Sequence, residues 1–336
     1  MIIKDILYGE FQVEDIFEIL INTKEIQRLK KIHQGGASFL VNPKLNITRY
    51  DHSIGTMLLI RLLGGSIEEQ IAGLFHDISH TAFSHVIDTV LDNKKEDYHE
   101  IILEDVINNS DIPKILESNG YNYKDILLHH KRWNILEKSA PKLCADRIDY
   151  TLRDMYNNGI ITIEDIKKFL TNIRVINDEI VVTSLETGEW FVETYYKEVL
   201  DFFMDPLNIY SNYKFAEVLK LALNKKIITL EDFLKDDNYL LTILSSSRNS
   251  EIINLLNSIS PNTKVVEDDS NYDIYKVNKL RIIDPTIYIN NTLNKISNLS
   301  SYIRQTNKDA IKKSLKGSYI MISFSYNMVR KKRQYY

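Results

Sequence analysis

Six of the eight histidines fall between residues 33 and 99, and three of them, His76, His80 and His85, lie within ten residues. Asp77 sits beside the first of these, and His52 and His99 flank the run. Neutral imidazole and ionised carboxylate bind divalent metals, and a mixed His/Asp set suits Mn, Fe, Ni, Co, Zn or Mg better than a thiolate set would. The single cysteine, Cys144, leaves no thiolate alternative and reads as core filler. At about 100° per residue, His76 and His80 stand one turn apart on one helix face. His76 and Asp77 point about 100° apart, so both can reach one ion where a helix ends or kinks. Asp146, Arg147, Tyr150 and Asp154 fall within an arc of about 100° on another helix. A carboxylate, a guanidinium, a phenol and a second carboxylate on one face suit a wall facing a charged, polar ligand. A lone His-Asp pair carries little weight, because a histidine on an apolar helix is more often a satisfied core residue. The joint pattern carries the argument.

Such residues have to be held by helices. Glycine (11) and proline (6) are scarce for 336 residues, which favours long helices over many short strands. Apolar spacing predicts helical structure over 11–33, stopped by Gly35-Gly36, and then a loop over 41–48. Further helices are expected over 50–63, 67–77, 84–92, 97–108, 111–118 and 141–156, the last with Pro141 near its start. Beyond residue 160 the pattern changes. Ile173–Ile176 and Glu179–Thr183 flank Asn177-Asp178, the signature of a β-hairpin. Helices are expected again over 188–203 and 212–224, loop around a short helix over 244–272, strands within 273–290, and an apolar, aromatic segment over 318–328.

The histidine and aspartate runs, taken in order, resemble the HD superfamily. Gln27-Arg28-Leu29-x-x-Ile32-x-Gln34-Gly35-Gly36, then Arg49-Tyr50-x-His52-Ser53-x-Gly55-Thr56, is similar to the first metal motif of that family. His76-Asp77-x-x-His80-x-x-Phe83-Ser84-His85-x-x-Asp88 resembles the second, Tyr98-His99-Glu100 a further short motif, and Asp146-Arg147-x-Asp149-Tyr150-x-x-Arg153-Asp154 the last. Order and spacing are similar to the branch holding the deoxynucleoside triphosphate triphosphohydrolases and the SAM-and-HD-domain dNTPase. The resemblance covers residues 26–156. It weakens afterwards, although Lys279-x-Arg281-x-x-Asp284-Pro285 and the hairpin are similar to bacterial members.

The resemblance implies a mainly α fold: an HD-domain helical bundle over 1–160 with a small β-hairpin, and a C-terminal α+β region over 161–336 that completes the pocket and makes subunit contacts. It implies a divalent metal held by His52, His76, Asp77 and Asp146, with manganese the first ion to try. His80, His85, Asp88 and His99 would form the acid/base and phosphate-contacting layer. Arg49 and Arg147 would hold phosphate oxygens, and Gln34, Tyr150, Asp154 and Tyr210 would line the substrate's side of the pocket. The expected activity is hydrolysis of a nucleotide phosphoester, foremost of a deoxynucleoside triphosphate to nucleoside and triphosphate. Assembly into a homo-oligomer is implied as well.

One departure bears on the substrate. The branch carries an arginine, a tyrosine eight residues on, and a histidine two further. Here Phe202, Tyr210 and Asn212 fall at those positions, with Asp205 and Pro206 interrupting the helix. Loss of one clamping charge leaves room for a monophosphatase or a phosphodiesterase acting on a cyclic or modified nucleotide. A non-catalytic nucleotide-binding regulator is a third reading.

Composition bounds the rest. Hydrophobic residues make up 44% and charged residues 26%, enough to bury a core. A net charge of −4 advertises neither a nucleic-acid nor a membrane partner. No stretch approaches the ~18 uninterrupted apolar residues of a membrane span. The N-terminal residues lack the plan of a signal peptide, and the lone cysteine permits no internal disulfide, so a cytoplasmic location is expected. His129–Trp133 reads as an exposed helix end, and Arg330–Arg333 as a solvated basic tail rather than a nucleic-acid contact.

Overall fold

A computed structural model describes residues 1–129 and 132–323. His130, Lys131, the last residues of the 318–328 segment and the basic tail lie outside the described residues. The fold is mainly α, with small sheets at its margins. The helices that position the site are α1 (Arg49–Leu62), α2 (Ile67–Phe75), α3 (Val86–Val90), α4 (Tyr98–Asn108), α5 (Ala145–Asn157), α6 (Leu185–Tyr196), α7 (Pro206–Asn224) and α8 (Asp237–Ser246).

Local chemistry explains where these helices start and stop. Thr48 and Asp51 form a reciprocal cap at the start of α1: Thr48 Oγ1 accepts from the Asp51 amide, and Asp51 Oδ2 accepts from the Thr48 amide. Ser66 caps α2 by accepting from the Glu69 amide. α2 ends at Phe75, so His76 and Asp77 lie where helical backbone gives way to turns. The expected helix over 141–156 begins later, at Ala145. Pro141 instead belongs to the preceding turn.

The expected helix over 188–203 is α6 followed by a π-helical turn, Lys197–Phe202, in which the Phe203 amide donates to the Glu198 carbonyl at 2.9 Å. Asp205 and Pro206 do interrupt the chain there, but they also start α7. Asp205 accepts from the amides of Leu207 and Asn208, and Pro206 occupies the first turn, where its missing N–H costs nothing. The segment 244–272 holds more structure than its polar composition suggested. Asp236 and Asn249 are caps for α8 and for the helix Ser250–Ser258, and a strand follows at Lys264–Glu267.

The strands are β1 (Ile2–Asp5), β2 (Gly9–Gln12), β3 (Ile173–Ile176), β4 (Glu179–Val182), β5 (Lys264–Glu267), β6 (Ile274–Lys276), β7 (Thr286–Ile289), β8 (Thr292–Lys295) and β9 (Ser318–Ser323). The hairpin β3–β4 forms as its sequence predicts. Asn177 and Asp178 have φ of 51° and 58°, as a two-residue turn of this hand requires. It joins β7 and β8 in a four-stranded sheet ordered β3-β4-β7-β8. The N-terminal hairpin β1–β2 had no counterpart in the sequence reading.

The largest buried apolar cluster draws on both sides of residue 160, from Ile3 to Ala310. A second cluster packs α3 against α7 around Phe83, Val86, Phe215 and Leu219. No helix among the described residues is long and apolar enough to cross a membrane.

Candidate metal centre

α1 presents His52 from its first turn, the end of α2 presents His76 and Asp77, and α5 presents Asp146 from its first turn. Their ligating atoms converge. His52 Nε2 lies 3.2 Å from His76 Nε2 and 3.0 Å from Asp146 Oδ1. His76 Nε2 is 3.6 Å from both Asp77 Oδ1 and Asp146 Oδ1, and Asp77 Oδ2 is 3.8 Å from His52 Nε2. The opposite ring nitrogens are committed elsewhere: His52 Nδ1 donates to Asp149 Oδ2 at 2.8 Å, and His76 Nδ1 to the Gly73 carbonyl at 2.7 Å. Both rings therefore turn an Nε2 lone pair inward. Two such lone pairs 3.2 Å apart repel unless a cation lies between them, so the donor set fits a divalent ion.

The charges say the same. Burial opposes a positive His52, but its bonds to Asp146 and Asp149 outweigh burial and push it up to about 10. Burial likewise resists the anionic form of Asp77. The Arg49 guanidinium, with His76 and His80, nonetheless holds this carboxyl well below the usual range. Asp146, bonded to His52 and His76, is lowered against burial too.

Asp149 was quoted in the last motif but given no role. Besides His52, it takes two bonds from Arg153 and one from the Tyr8 hydroxyl. Its signal was legible: three residues after Asp146 and four before Arg153, it shares the helix face that looks at α1. The close approach of α1 depends on Gly55, where an added Cβ would lie 1.9 Å from Arg153 Nη2 and 2.1 Å from Asp149 Oδ1.

A second cluster lies against Asp77. His80 Nε2 is 3.2 Å from Asp77 Oδ1, and the His80 ring stacks on that of His99 at 4.0 Å between centroids. His85 meets both rings edge-on, at 4.9 Å and 5.2 Å. One ring nitrogen from each of these three histidines also lies within 4.8 Å of the others, close enough to hold a metal ion. His85 Nδ1 pairs with Asp88 Oδ2 at 3.1 Å, and Asp88 is fixed in turn by Asn93 and the Tyr98 amide. Burial, with Arg49 nearby, drives His80 well below the usual imidazole range. Burial and the neighbouring His85 bring His99 down to about 3. Arg49 completes this side, donating to Asp77 Oδ2 at 2.6 Å and to Ser84 Oγ at 3.0 Å.

The turn carrying these groups is held from a distance. Arg28 donates to the carbonyls of Ile78 and His80. Phe83 and Ser84 sit at φ of 59° and 51°, a conformation non-glycine residues adopt only when their surroundings enforce it. Asp237 of α8 does so, accepting from the Phe83 amide at 2.6 Å while taking both the amide and Nδ1 of His33. Asp237 left no signal in the sequence, because its role depends on where α8 docks.

The remaining predicted residues divide. Tyr150 faces His52 at 6.5 Å and joins Tyr195 and Phe203 in an aromatic wall. Asp154 is buried beside it, opposite Glu198, whose two carboxylate oxygens are buried without a hydrogen-bond donor. Burial raises both acids, so the pair holds a proton. Gln34 Oε1 is likewise buried and unpartnered. Arg147 spends its fork on the carbonyls of Lys138 and Lys142 and on Cys144 Sγ, so it braces a turn at the rim.

Tyr210, expected on the substrate's side of the pocket, is turned to other partners. Its hydroxyl donates to the Ser258 carbonyl at 3.0 Å, and it packs with Ile209, Ile274 and Ile320. Asn212 is turned toward the 35–38 loop, accepting from the Ala37 amide at 2.9 Å and donating to Ser38 Oγ at 3.0 Å.

The HD domain family matches residues 49–154, the span from Arg49 to Asp154 that bears the clusters. The chain is 51% identical over 322 residues to the uncharacterised protein YdhJ of Bacillus subtilis, covering 96% of this chain and 99% of that one. It is 36% identical over 176 residues to the metal-dependent phosphohydrolase cns2 of Cordyceps militaris, covering 52% of this chain and 50% of the relative. Over 321 residues it is 25% identical to the SAMHD1-homologous deoxynucleoside triphosphate triphosphohydrolase of Dictyostelium discoideum, covering 82% and 59%. A crystal structure of a hypothetical protein from Aquifex aeolicus shares the fold, with a TM-score of 0.69 and 23% identity, covering 93% of this chain and 99% of that one. The chain belongs to the HD superfamily and is a metal-dependent phosphohydrolase that works with a divalent ion.

Proposed function

We propose that the protein hydrolyses a nucleotide phosphoester, foremost a deoxynucleoside triphosphate to nucleoside and triphosphate. The observation that supports this most is a juxtaposition. A cluster suited to an ion shares Asp77 with a cluster of histidines and Arg49 suited to an anion. His52, His76, Asp77 and Asp146 would hold the metal. Bound there, a divalent ion would acidify water and polarise a phosphoryl oxygen. Arg49 offers fixed N–H donors to phosphate oxygens. His80 and His99, kept neutral by burial, can each offer an N–H to phosphate oxygens.

His85 is the best-placed acid. Its side chain is 43% exposed, and Asp88 fixes its Nδ1, leaving Nε2 to give a proton to the leaving oxygen. Tyr150 and Asp154, with Gln34, would face the sugar, one to two helical turns along α5 from Asp146. The homologous Dictyostelium protein bears a dNTP triphosphohydrolase name, which supports this substrate class and, by the same resemblance, a homo-oligomer.

A second reading rests on Tyr210 and Asn212. Both are turned to structural partners, and Phe202 brings no charge. A triphosphate then meets fewer cations than the branch provides, which favours a nucleotide with fewer phosphates. The test is a product assay with Mn²⁺ over dNTPs, dNMPs and cyclic nucleotides. Triphosphate release supports the first reading. Orthophosphate released only from monophosphates, or cyclic-ester opening, replaces it with the second.

A further inference from the structure

The N-terminal hairpin reaches the metal centre through Asp149, behind the His52 ring. Tyr8, in the turn between β1 and β2, donates its hydroxyl to Asp149 Oδ1 at 2.9 Å, and Asp149 Oδ2 accepts from His52 Nδ1 at 2.8 Å. Arg153 grips the same carboxylate with two N–H groups, Nε to Oδ2 at 3.0 Å and Nη2 to Oδ1 at 2.8 Å. Its Nη2 also meets Asp5 Oδ2 at 3.0 Å. The other oxygen of Asp5 accepts from the amides of Leu7 and Tyr8, at 2.8 Å and 3.1 Å, which sets the turn that aims Tyr8. The contacts close a ring: Asp5, Tyr8, Asp149, Arg153 and back to Asp5.

We propose that Tyr8 and Asp5 are positioning residues of the metal centre, holding Asp149, and through it His52, in the orientation and tautomer that bind an ion. The inference rests on His52 being a metal ligand. The physical argument is saturation. Asp149 is fully buried and accepts four bonds, so its plane is fixed and its one site toward α1 is left for the His52 Nδ1–H. That bond commits Nε2 to the cluster. Without the Tyr8 hydroxyl, Asp149 Oδ1 keeps only Arg153 Nη2, which Asp5 also engages, so the carboxylate is held less tightly. The Tyr8 ring also lies against the Arg153 guanidinium, 5.8 Å from centroid to Cζ, and Tyr8 lines a surface cavity of about 430 Å³ with Leu62, Ile163 and Leu170.

The experiment is Mn²⁺ binding by titration calorimetry on the metal-stripped full chain, with the unfolding temperature of each metal-free variant read alongside. Tyr8→Phe keeps the ring and removes only the hydroxyl. Its Kd for Mn²⁺ should rise about 10-fold, within the range for partners of a ligating histidine, with the metal-free unfolding temperature nearly unchanged. Asp5→Asn should weaken Mn²⁺ less, about 3-fold, because the side chain can still cap the turn. Leu62→Ala, in the exposed wall of that cavity, should leave the Kd alone. Mn²⁺ affinity equal to wild type in Tyr8→Phe and Asp5→Asn overturns the proposal, as does a Leu62→Ala affinity loss equal to theirs. Unchanged Mn²⁺ binding in His52→Ala would instead remove the ligand assignment beneath it.

Discussion

The two histidine clusters are built from the same residue type, lie against the same aspartate, and are arranged for opposite partners. In the first, His52 and His76 each have Nδ1 fixed by an acceptor, and Asp77 and Asp146 stand within 4 Å of their Nε2 atoms. Two carboxylates and two imidazole Nε2 atoms face one another there, a donor set suited to a cation. In the second, His80 stacks on His99, His85 meets both edge-on, Arg49 lies nearby on Asp77, and burial keeps two of the three neutral. On the proposed function, that region would contact an anion. The difference teaches that neighbours rather than residue type set the role of a histidine: acceptors behind the ring make a ligand, while stacking and a nearby guanidinium make an anion contact.

The largest expected effect breaks the first cluster. Asp146→Ala or Asp77→Ala should strip the metal, measured by elemental analysis, and lower turnover by about 10³-fold or more, the several kcal/mol a metal supplies. His85→Asn separates the clusters. Metal content should stay at wild-type stoichiometry while kcat falls about 10²–10⁴-fold, the usual worth of a positioned acid. Equal loss of metal in His85→Asn would merge the two clusters into one function. Arg49→Lys keeps the charge but loses the fork that spans Asp77 and Ser84. KM should rise on the order of 10-fold, with a smaller change in kcat.

The smallest effect tests burial without either cluster. Asp154 and Glu198 are acids raised by burial, so the folded chain keeps a proton that the unfolded chain loses above the ordinary carboxyl range of about 4. Stability contributed by this pair is therefore full at low pH and falls as pH rises through that range until the folded pair ionises. Glu198→Gln removes the penalty. Its unfolding temperature should exceed that of wild type by about 2–4 °C at pH 7.5 and match it near pH 4.

Much of the site was legible because its residues are local. His76 to Asp88 is one continuous run, and Asp146 to Asp154 is one helix face, so spacing groups each set and the family resemblance joins the two. The hairpin at 177–178 was legible because Asn and Asp tolerate the left-handed turn it needs. What escaped depends on docking between distant segments. Tyr210 and Asn212 align with pocket positions in sequence, yet α7 places one against Ser258 and the other against Ala37. Asp237 supports the strained 83–84 turn from a helix more than 150 residues away. Tyr8 and Asp5 sit in a hairpin with no chemical pattern of its own, and Glu198 is turned inward by a π-helical turn that apolar periodicity does not reveal.

The most direct test is to load wild type, Asp146→Ala and His85→Asn with Mn²⁺, measure metal content, and resolve the products formed from a dNTP. The division of labour predicts that wild type binds metal and releases triphosphate, that Asp146→Ala does neither, and that His85→Asn binds metal and releases almost nothing. Metal bound at full stoichiometry in Asp146→Ala, or wild-type turnover in His85→Asn, would contradict it.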